Sequence, residues 1–350
     1  MKYRFTGSLL VLSLVTLAAI GAKPALAQEE IAVMSFGGAY QQAWRKAVFE
    51  PYTVKTGIKI IEQEYGGEIA KIKAMIESGN VTLNAVDVDA PTLLQGCDEG
   101  IFEKIDWTQI GPKDDWLDGT TSKCGVGTIV YATTLAYDGA QLANGPTTIK
   151  DLFDTGKFPG KRGLWKKPAT NLEFALLADG VEPGQVYQVL ATPGGVDRAF
   201  AKLDTIKSNI VWWEAGAQAP QLLASGEVVM TTAWNGRIYN ANKEGKNFKI
   251  VWDHEILDSN YWVIPKGAKN QAAAMAFIKY AIAPKELAGV SQYIPYGPVR
   301  KSAARFVQRE VAPNLPTSPR NMTGALTLDN GFWADHGDEI RRRFTTWIAQ

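Results

Sequence analysis

Between residues 228 and 267 the chain reads VVMTTAWNGRIYNANKEGKNFKIVWDHEILDSNYWVIPKG, and this stretch narrows the choice of fold more than any other. A short apolar strand over 228–232 stops at Trp234-Asn235-Gly236-Arg237, and a helix-like segment follows over 238–243. In open α/β sheets ligands gather at the carboxyl ends of strands, beside helix N-termini whose free N–H groups favour negative charge. That rule puts the Trp234 ring and the Arg237 guanidinium at a cleft. Next come a strand over 248–252, a polar crossing with Asp258, Ser259 and Asn260, and an apolar run over 261–265 closed by Gly267. This order suits a chain that leaves one lobe and enters another. Trp212, Trp213, Trp234, Trp252 and Trp262 are five of the chain's 11 Trp. Each alone reads first as a core ring, while Trp213 and Trp234, at strand ends, place indoles near the cleft.

Lys2 and Arg4 precede an apolar run over 9–20, and Ala25-Leu26-Ala27 offers small residues for cleavage, which predicts a secretory signal over 1–27. The run is about half of the roughly 20 residues that a membrane span needs. Cleavage leaves 323 of the 350 residues, from Gln28 onward, more than one hydrophobic core usually supports, so two lobes are expected. Loss of Lys2, Arg4 and Lys23 takes the basic count from 37 to 34, against 36 acidic residues. So even a balance gives no reason to expect nucleic acid or an anionic membrane as partner. Cys97 and Cys124 are the two cysteines, and in an exported chain they read as a disulfide. Such a bond would close a 28-residue loop and be worth about 3–4 kcal/mol in the chain-entropy model. Two separate buried thiols are the alternative.

Read in order, a buried strand over 30–35 runs into Phe36-Gly37-Gly38-Ala39-Tyr40 and then a helix over 41–55. The paired glycines let backbone approach a ligand, with an aromatic ring on either side. A strand over 58–62, a helix over 69–78 and a strand over 85–90 follow. By period-two alternation the last of these carries Asp87 and Asp89 on one face. Asp89, at the strand's carboxyl end, is placed either to receive an ammonium or to cap the helix predicted over 91–99. The segment 107–118 reads as loop, and 126–131 with 133–137 as the crossover into the second lobe. Residues 144–163 read as a surface excursion with a short helix over 148–155. Helices are predicted over 171–178, 183–191, 195–207, 218–225, 271–283 and 284–291, with a strand over 210–214. Tyr293-Ile294-Pro295-Tyr296-Gly297-Pro298 is a rigid proline-rich loop, and the last 45 residues read as helical.

Catalytic signatures are missing: no G-x-S-x-G, no H-E-x-x-H, no P-loop and no G-x-G-x-x-G opening a helix. His254 and His336 are the chain's two histidines, so proton-transfer and metal-ligating groups are scarce, and no cofactor or metal is expected. Carboxylate-only catalysis would need a facing acidic pair, and nothing in the spacing of Asp87, Asp89, Glu214 and Asp258 selects one. The chain reads as a binding protein and not an enzyme.

Several segments in this order resemble the periplasmic solute-binding proteins of bacterial ABC importers, spermidine/putrescine-type branch. They are SFGGAY after the first strand, GCDEGIFEKIDW from Gly96, GTIVYATTLAYDGA from Gly127, AWNGRIYNA, NYWVIPKGAKN and YIPYGPVRKSA. The resemblance implies a type II periplasmic-binding-protein-like fold: two α/β lobes joined by a crossover hinge, closing over one small solute and presenting it to a membrane permease. It places lobe 1 at 28–131 plus 258–302 and lobe 2 at 132–257 plus 303–350. It also implies a monomer working in the periplasm. A chemoreceptor reading the same closed form is an alternative partner.

The family's polyamine sites combine aromatic walls with acidic residues that fix each amine. Carried over residue by residue, the walls match Phe36, Tyr40, Trp234 and Tyr296. The acidic positions match poorly: two fall on Ala169 and Leu172, with Glu173 adjacent, and another falls on Asn260, with Asp258 two residues earlier. Arg237 has no counterpart in the polyamine binders. A buried unpaired guanidinium repels a dication and welcomes a carboxylate, so the expected ligand is a small amino carboxylate such as 4-aminobutyrate. Its acid end would lie on Arg237, its ammonium near Asp89 or Asp258, and its carbons between Phe36, Trp234 and Tyr296. A polyamine is the alternative ligand, and a surface or intramolecular salt bridge the alternative role for Arg237.

Overall fold

The structure, a computed structural model, describes residues 1–3 and 29–350; apart from its first three positions, the expected secretory signal over 1–27 lies outside the described residues. Strand β1 (Glu30–Ser35) is followed by helix α1 (Gly38–Trp44), whose helical path continues through a π-turn to Thr56. Strands β2 (Lys59–Glu64) and β3 (Ala85–Asp89) pair parallel to β1 on its two sides, and helix α2 (Ala90–Asp98) leaves the end of β3. These parallel strands are rich in Ile and Val, and β3 is buried at four of its five positions, as a sheet covered by helices requires.

Strand β4 (Gly125–Asp138) and, later, β8 (Phe248–Val263) are the longest strands, at 14 and 16 residues. Between them lie β5 (Arg162–Trp165), helix α3 (Asn171–Ala178), β6 (Ile210–Trp213), β7 (Met230–Trp234) and helix α4 (Asn235–Lys243). The sheet order is β2-β1-β3-β8-β4-β7-β5-β6. The antiparallel pair β8 and β4 is therefore the seam between a parallel set on each side. After β8 come helix α5 (Gln271–Ala281), the two-residue strands β9 (Gly297–Pro298) and β10 (Leu326–Thr327), and helix α6 (Asn330–Ala349).

The two largest of four hydrophobic clusters among the described residues flank the seam. Trp262 of β8 is fully buried, meeting Trp44 edge-on at 5.2 Å and Phe277 at 5.5 Å, in a core that includes Ala132 and Leu257. Phe174, Leu176, Phe200, Trp333, Phe344 and Trp347 build the other, which includes Leu135 and Ile256. Each fully buried ring of this kind contributes on the order of 2–3 kcal/mol from burial alone. Helix α3 is buried at all eight positions and is apolar on every face but for Asn171 and Glu173, so it belongs inside. The Cys97–Cys124 disulfide is formed and ties α2 to the start of β4. No helix among the described residues is long and apolar enough to cross a membrane.

Several expectations need correction. The segments predicted as two strands over 126–137 join into β4, and those over 248–252 and 261–265 join into β8, so the polar crossing at Asp258, Ser259 and Asn260 lies within a strand. The irregularity sits elsewhere. The register slips once between Gly127 and Ile129, and more widely between Thr133 and Leu135 against residues 251–256, where His254 takes φ +56°. The supposed surface excursion over 144–163 runs into β5, whose short Arg-Gly-Leu-Trp run is too brief for a clear period-two signal. The last 45 residues contain 3-10 turns and β10 before the single helix α6, because Pro313 and the positive φ of Gly324 interrupt helical patterning.

Candidate functional site

The ends of four strands converge on a small cavity lined by Phe36, Tyr40, Asp89, Ile129, Tyr131, Trp165, Trp234, Arg237, Asn260 and Tyr296. Space open to the centre of a water molecule amounts to about 30 Å³. One water needs roughly 10–15 Å³ on that measure, so this space holds two or three waters, and it shares Asp89, Tyr131 and Trp165 with a larger adjoining cavity.

Arg237 enters from the first turn of α4, just after Trp234 closes β7. It is 5% exposed, and its Nη2 donates to the carbonyl oxygens of Gly37 at 3.2 Å and Phe36 at 3.4 Å. Its Nε–H has no hydrogen-bond partner, and no carboxylate pairs with it among the described residues. The guanidinium therefore reaches from α4 to the turn after β1 while keeping its Nε–H free. Gly37 and Gly38 make this approach possible: both have positive φ, 63° and 55°, and a Cβ on Gly38 would sit 2.7 Å from Arg237 Nη1.

The walls are aromatic. Tyr296 stands 5.7 Å from Tyr40 and 5.9 Å from Tyr131; Tyr131 stands 6.0 Å from Trp234, and Trp165 stands 5.7 Å from Trp234. Fully buried Asn235 fixes the Tyr296 loop, its Oδ1 accepting from Ala132 N–H at 3.1 Å and its Nδ2 donating to the Pro295 carbonyl at 2.8 Å. Burial pushes the Tyr296 hydroxyl up to about 12 against the opposing pull of Arg237, so it is a neutral donor. Asp89 and Asn260 are cross-strand neighbours on β3 and β8. Asp89 caps α2, one oxygen accepting from Thr92 N–H at 3.0 Å, and it also lines the cavity, so the two roles foreseen for it are compatible.

Seven of the nine expected site residues thus line one cavity: Phe36, Tyr40, Asp89, Trp234, Arg237, Asn260 and Tyr296. Two stand behind its wall. Trp213 stacks on Trp165 at 5.8 Å and meets Trp234 edge-on, because alternation along β6 turns its ring into a cluster with Ala219, Leu223 and Ile238. Asp258 accepts from the Tyr131 hydroxyl at 3.0 Å and from Ser259 N–H at 2.7 Å, with Asn330 Nδ2 at 3.4 Å. Burial raises its carboxyl to about 7. Sequence reasoning misses Ile129, Tyr131 and Trp165. Tyr131 lies in the middle of a strand read only as a crossover, and Trp165 ends a strand too short to recognise; an aromatic at a strand's carboxyl end is the available signal for Trp165 alone.

Residues 47–317 match a family model of bacterial extracellular solute-binding proteins. Over 339 residues the chain is 47% identical to the gamma-aminobutyric acid-binding protein of Pseudomonas aeruginosa, spanning 97% of this chain and 96% of that one. A spermidine/putrescine-binding periplasmic protein of Haemophilus influenzae is 26% identical over 335 residues, 86% of this chain and 85% of the relative. Among solved structures, a GABA receptor is 35% identical with a TM-score of 0.82, covering 92% of this chain and 98% of that one. A periplasmic binding protein of A. tumefaciens in complex with agropinic acid is 34% identical with a TM-score of 0.84, covering 92% and 99%.

Proposed function

Because the chain belongs to the bacterial extracellular solute-binding proteins, we propose that its cleft captures a short ω-amino carboxylate of the 4-aminobutyrate kind and delivers it to the membrane permease of an ABC importer. The observation that carries this reading is Arg237: a guanidinium 5% exposed, without an acidic partner among the described residues, with a free N–H beside the cavity. A buried charge left unpaired is costly, and a ligand carboxylate is the partner that offsets the cost. The carboxylate lies on Arg237, the methylenes between Phe36, Tyr40, Tyr131, Trp234 and Tyr296, and the ammonium against Asp89 and Asn260. Asp258 acts through the Tyr131 hydroxyl, and Trp213 backs the Trp165 and Trp234 rings. Support also comes from what the Pseudomonas aeruginosa relative and the GABA receptor are described as binding.

The segments 28–131 with 258–302 and 132–257 with 303–350 are the two closing units. The protein acts as an exported monomer in the periplasm, with no nucleic-acid partner. A polyamine, the alternative, would set an ammonium against Arg237. Agropinic acid, bound by one structural neighbour, sets a bulkier acid as the comparison compound.

Titration calorimetry of 4-aminobutyrate, putrescine, spermidine and agropinic acid tests the reading. One or two charge-assisted hydrogen bonds of roughly 1.5–3 kcal/mol each set the loss in Arg237→Ala at about 10-fold to more than 1000-fold. Unchanged amino-acid binding in Arg237→Ala, or strong uptake of diamines with indifference to 4-aminobutyrate, refutes it.

A further inference from the structure

Beneath the cavity floor lies a carboxyl group to which the binding scheme assigns no task. Asp87, two residues before Asp89 on β3, is fully buried, and neither of its oxygens has a hydrogen-bond partner among the described residues. Two of the groups that face it, the Tyr40 hydroxyl from α1 and the Asn260 amide from β8, belong to residues that line the cavity. Both act on the Asp87 carboxyl while standing off ideal hydrogen-bond geometry. Trp262 is its cross-strand neighbour, Thr128 of β4 meets Tyr40, and Tyr65 donates its hydroxyl to the Asp87 carbonyl. The charged neighbour that acts on it is Asp89, which is of like sign, and none of the groups acting on it is cationic. The Nε1 of Trp44, which contacts Tyr40, and the Nε1 of Trp262 are buried without partners.

We propose that Asp87 carries a proton while the cleft is empty and releases it to solvent when a ligand ammonium docks against Asp89 and Asn260, so that capture of the solute expels a proton. The inference rests on the zwitterion reading of the cleft. Burial is the main cause that holds Asp87 neutral; a cation at Asp89 turns the added like-charge repulsion into attraction, and the ionised Asp87 then draws hydrogen bonds from Tyr40 and Asn260, so that the two together offset the burial cost and stiffen two cavity walls around the bound amine. Burial, with the Asp89 charge adding to it, raises the empty-cleft carboxyl to about 8, which puts the exchange in a physiological range. Asp87 is in this scheme a positioning residue that reads the ammonium through its neighbours. At the limit of one proton, affinity gains about tenfold per pH unit below the empty-cleft pKa.

The test is calorimetry of 4-aminobutyrate with the full exported chain, at pH 7, in two buffers of different ionisation enthalpy, repeated from pH 6 to pH 8. Wild type should release on the order of half a proton or more and bind at least roughly fivefold tighter at pH 8 than at pH 6. Asp87→Asn should abolish the release and bring that ratio below about twofold, whereas Glu255→Gln, removing a raised carboxyl that does not line the cavity, should leave the release in place. An infrared difference spectrum of wild type needs no variant: ligand addition should bleach the carbonyl stretch of a protonated carboxyl. Binding without proton release, or release that persists undiminished in Asp87→Asn, overturns the proposal and leaves the binding function standing. Absence of any binding of 4-aminobutyrate overturns both.

Discussion

Replacing Gly38 by Ala asks whether the glycine turn exists to admit the guanidinium. The added Cβ would lie 2.7 Å from Arg237 Nη1, well inside contact distance, and Gly38 has φ +55°, where an L side chain is disfavoured. Two effects then separate cleanly. The backbone conformation costs about 1–2 kcal/mol of folding stability. Displacing the guanidinium by several tenths of an ångström lengthens the Nη2 bond to Gly37, already 3.2 Å, and moves the free N–H groups off the ligand carboxylate. Loss of one charge-assisted bond, about 1.5–3 kcal/mol, predicts a 10- to 150-fold rise in Kd. Isothermal titration reads the second effect and a melting curve the first, since affinity is measured on molecules that remain folded. In a double-mutant cycle Gly38→Ala should cost no further affinity once Arg237 is already Ala. A Kd within threefold of wild type alongside a lowered Tm would show that the turn serves the backbone alone, and the argument for Arg237 as a glycine-gated receptor would fail.

Two further expectations rest on groups away from the ligand. Asn235→Ala leaves the Ala132 N–H and the Pro295 carbonyl buried without partners, at about 1–3 kcal/mol each; it should lower Tm and weaken ligand binding through the released Tyr296 loop, and unaltered affinity would show that the loop holds its place without Asn235. Burial raises the carboxyls of Glu173 and Asp258 to about 7, Asp87 to about 8 and Glu255 to about 9. Between the ordinary carboxyl range and those values the folded chain binds more protons than the unfolded one, so stability is greatest at the acid end and declines as pH rises from about 5 to 9. A pH series of melting curves should show that decline, and Glu255→Gln should flatten its upper part; a Tm that climbs steadily to pH 9 contradicts it.

What the sequence made legible was local. Trp234 and Arg237 could be placed at a strand-to-helix junction because the apolar run, the break and the helix lie within a short span of chain. Phe36, Gly37 and Gly38 were visible for the same reason, and the cysteine pair followed from count and compartment. The side on which a buried aromatic faces was not legible: Trp165 and Trp213 are both at strand ends, yet the first lines the cavity and the second supports it, according to a pairing between β5 and β6 that joins distant parts of the chain. Asp258 and Asn260 share a face by alternation, but Tyr131 from another strand covers the first and leaves the second open, a fact that only the β4 and β8 register supplies. Short β5 and long β8 were misjudged for opposite reasons, one giving too little periodicity and the other interrupting it with His254 and Asp258.

The two longest strands remain bonded to each other along nearly their whole length while serving both cores, and the wider of their two slips in register falls beside His254. A joint made this way behaves as a flexure cut from one strip of material, with no separate pin or slack cord. Were the two cores to move against each other, it would bend most readily where the strip is thinned and resist twist and sideways shear, bringing them back to the same alignment. The Arg237 guanidinium and the Phe36 and Gly37 carbonyls would then meet in the same geometry after each such movement.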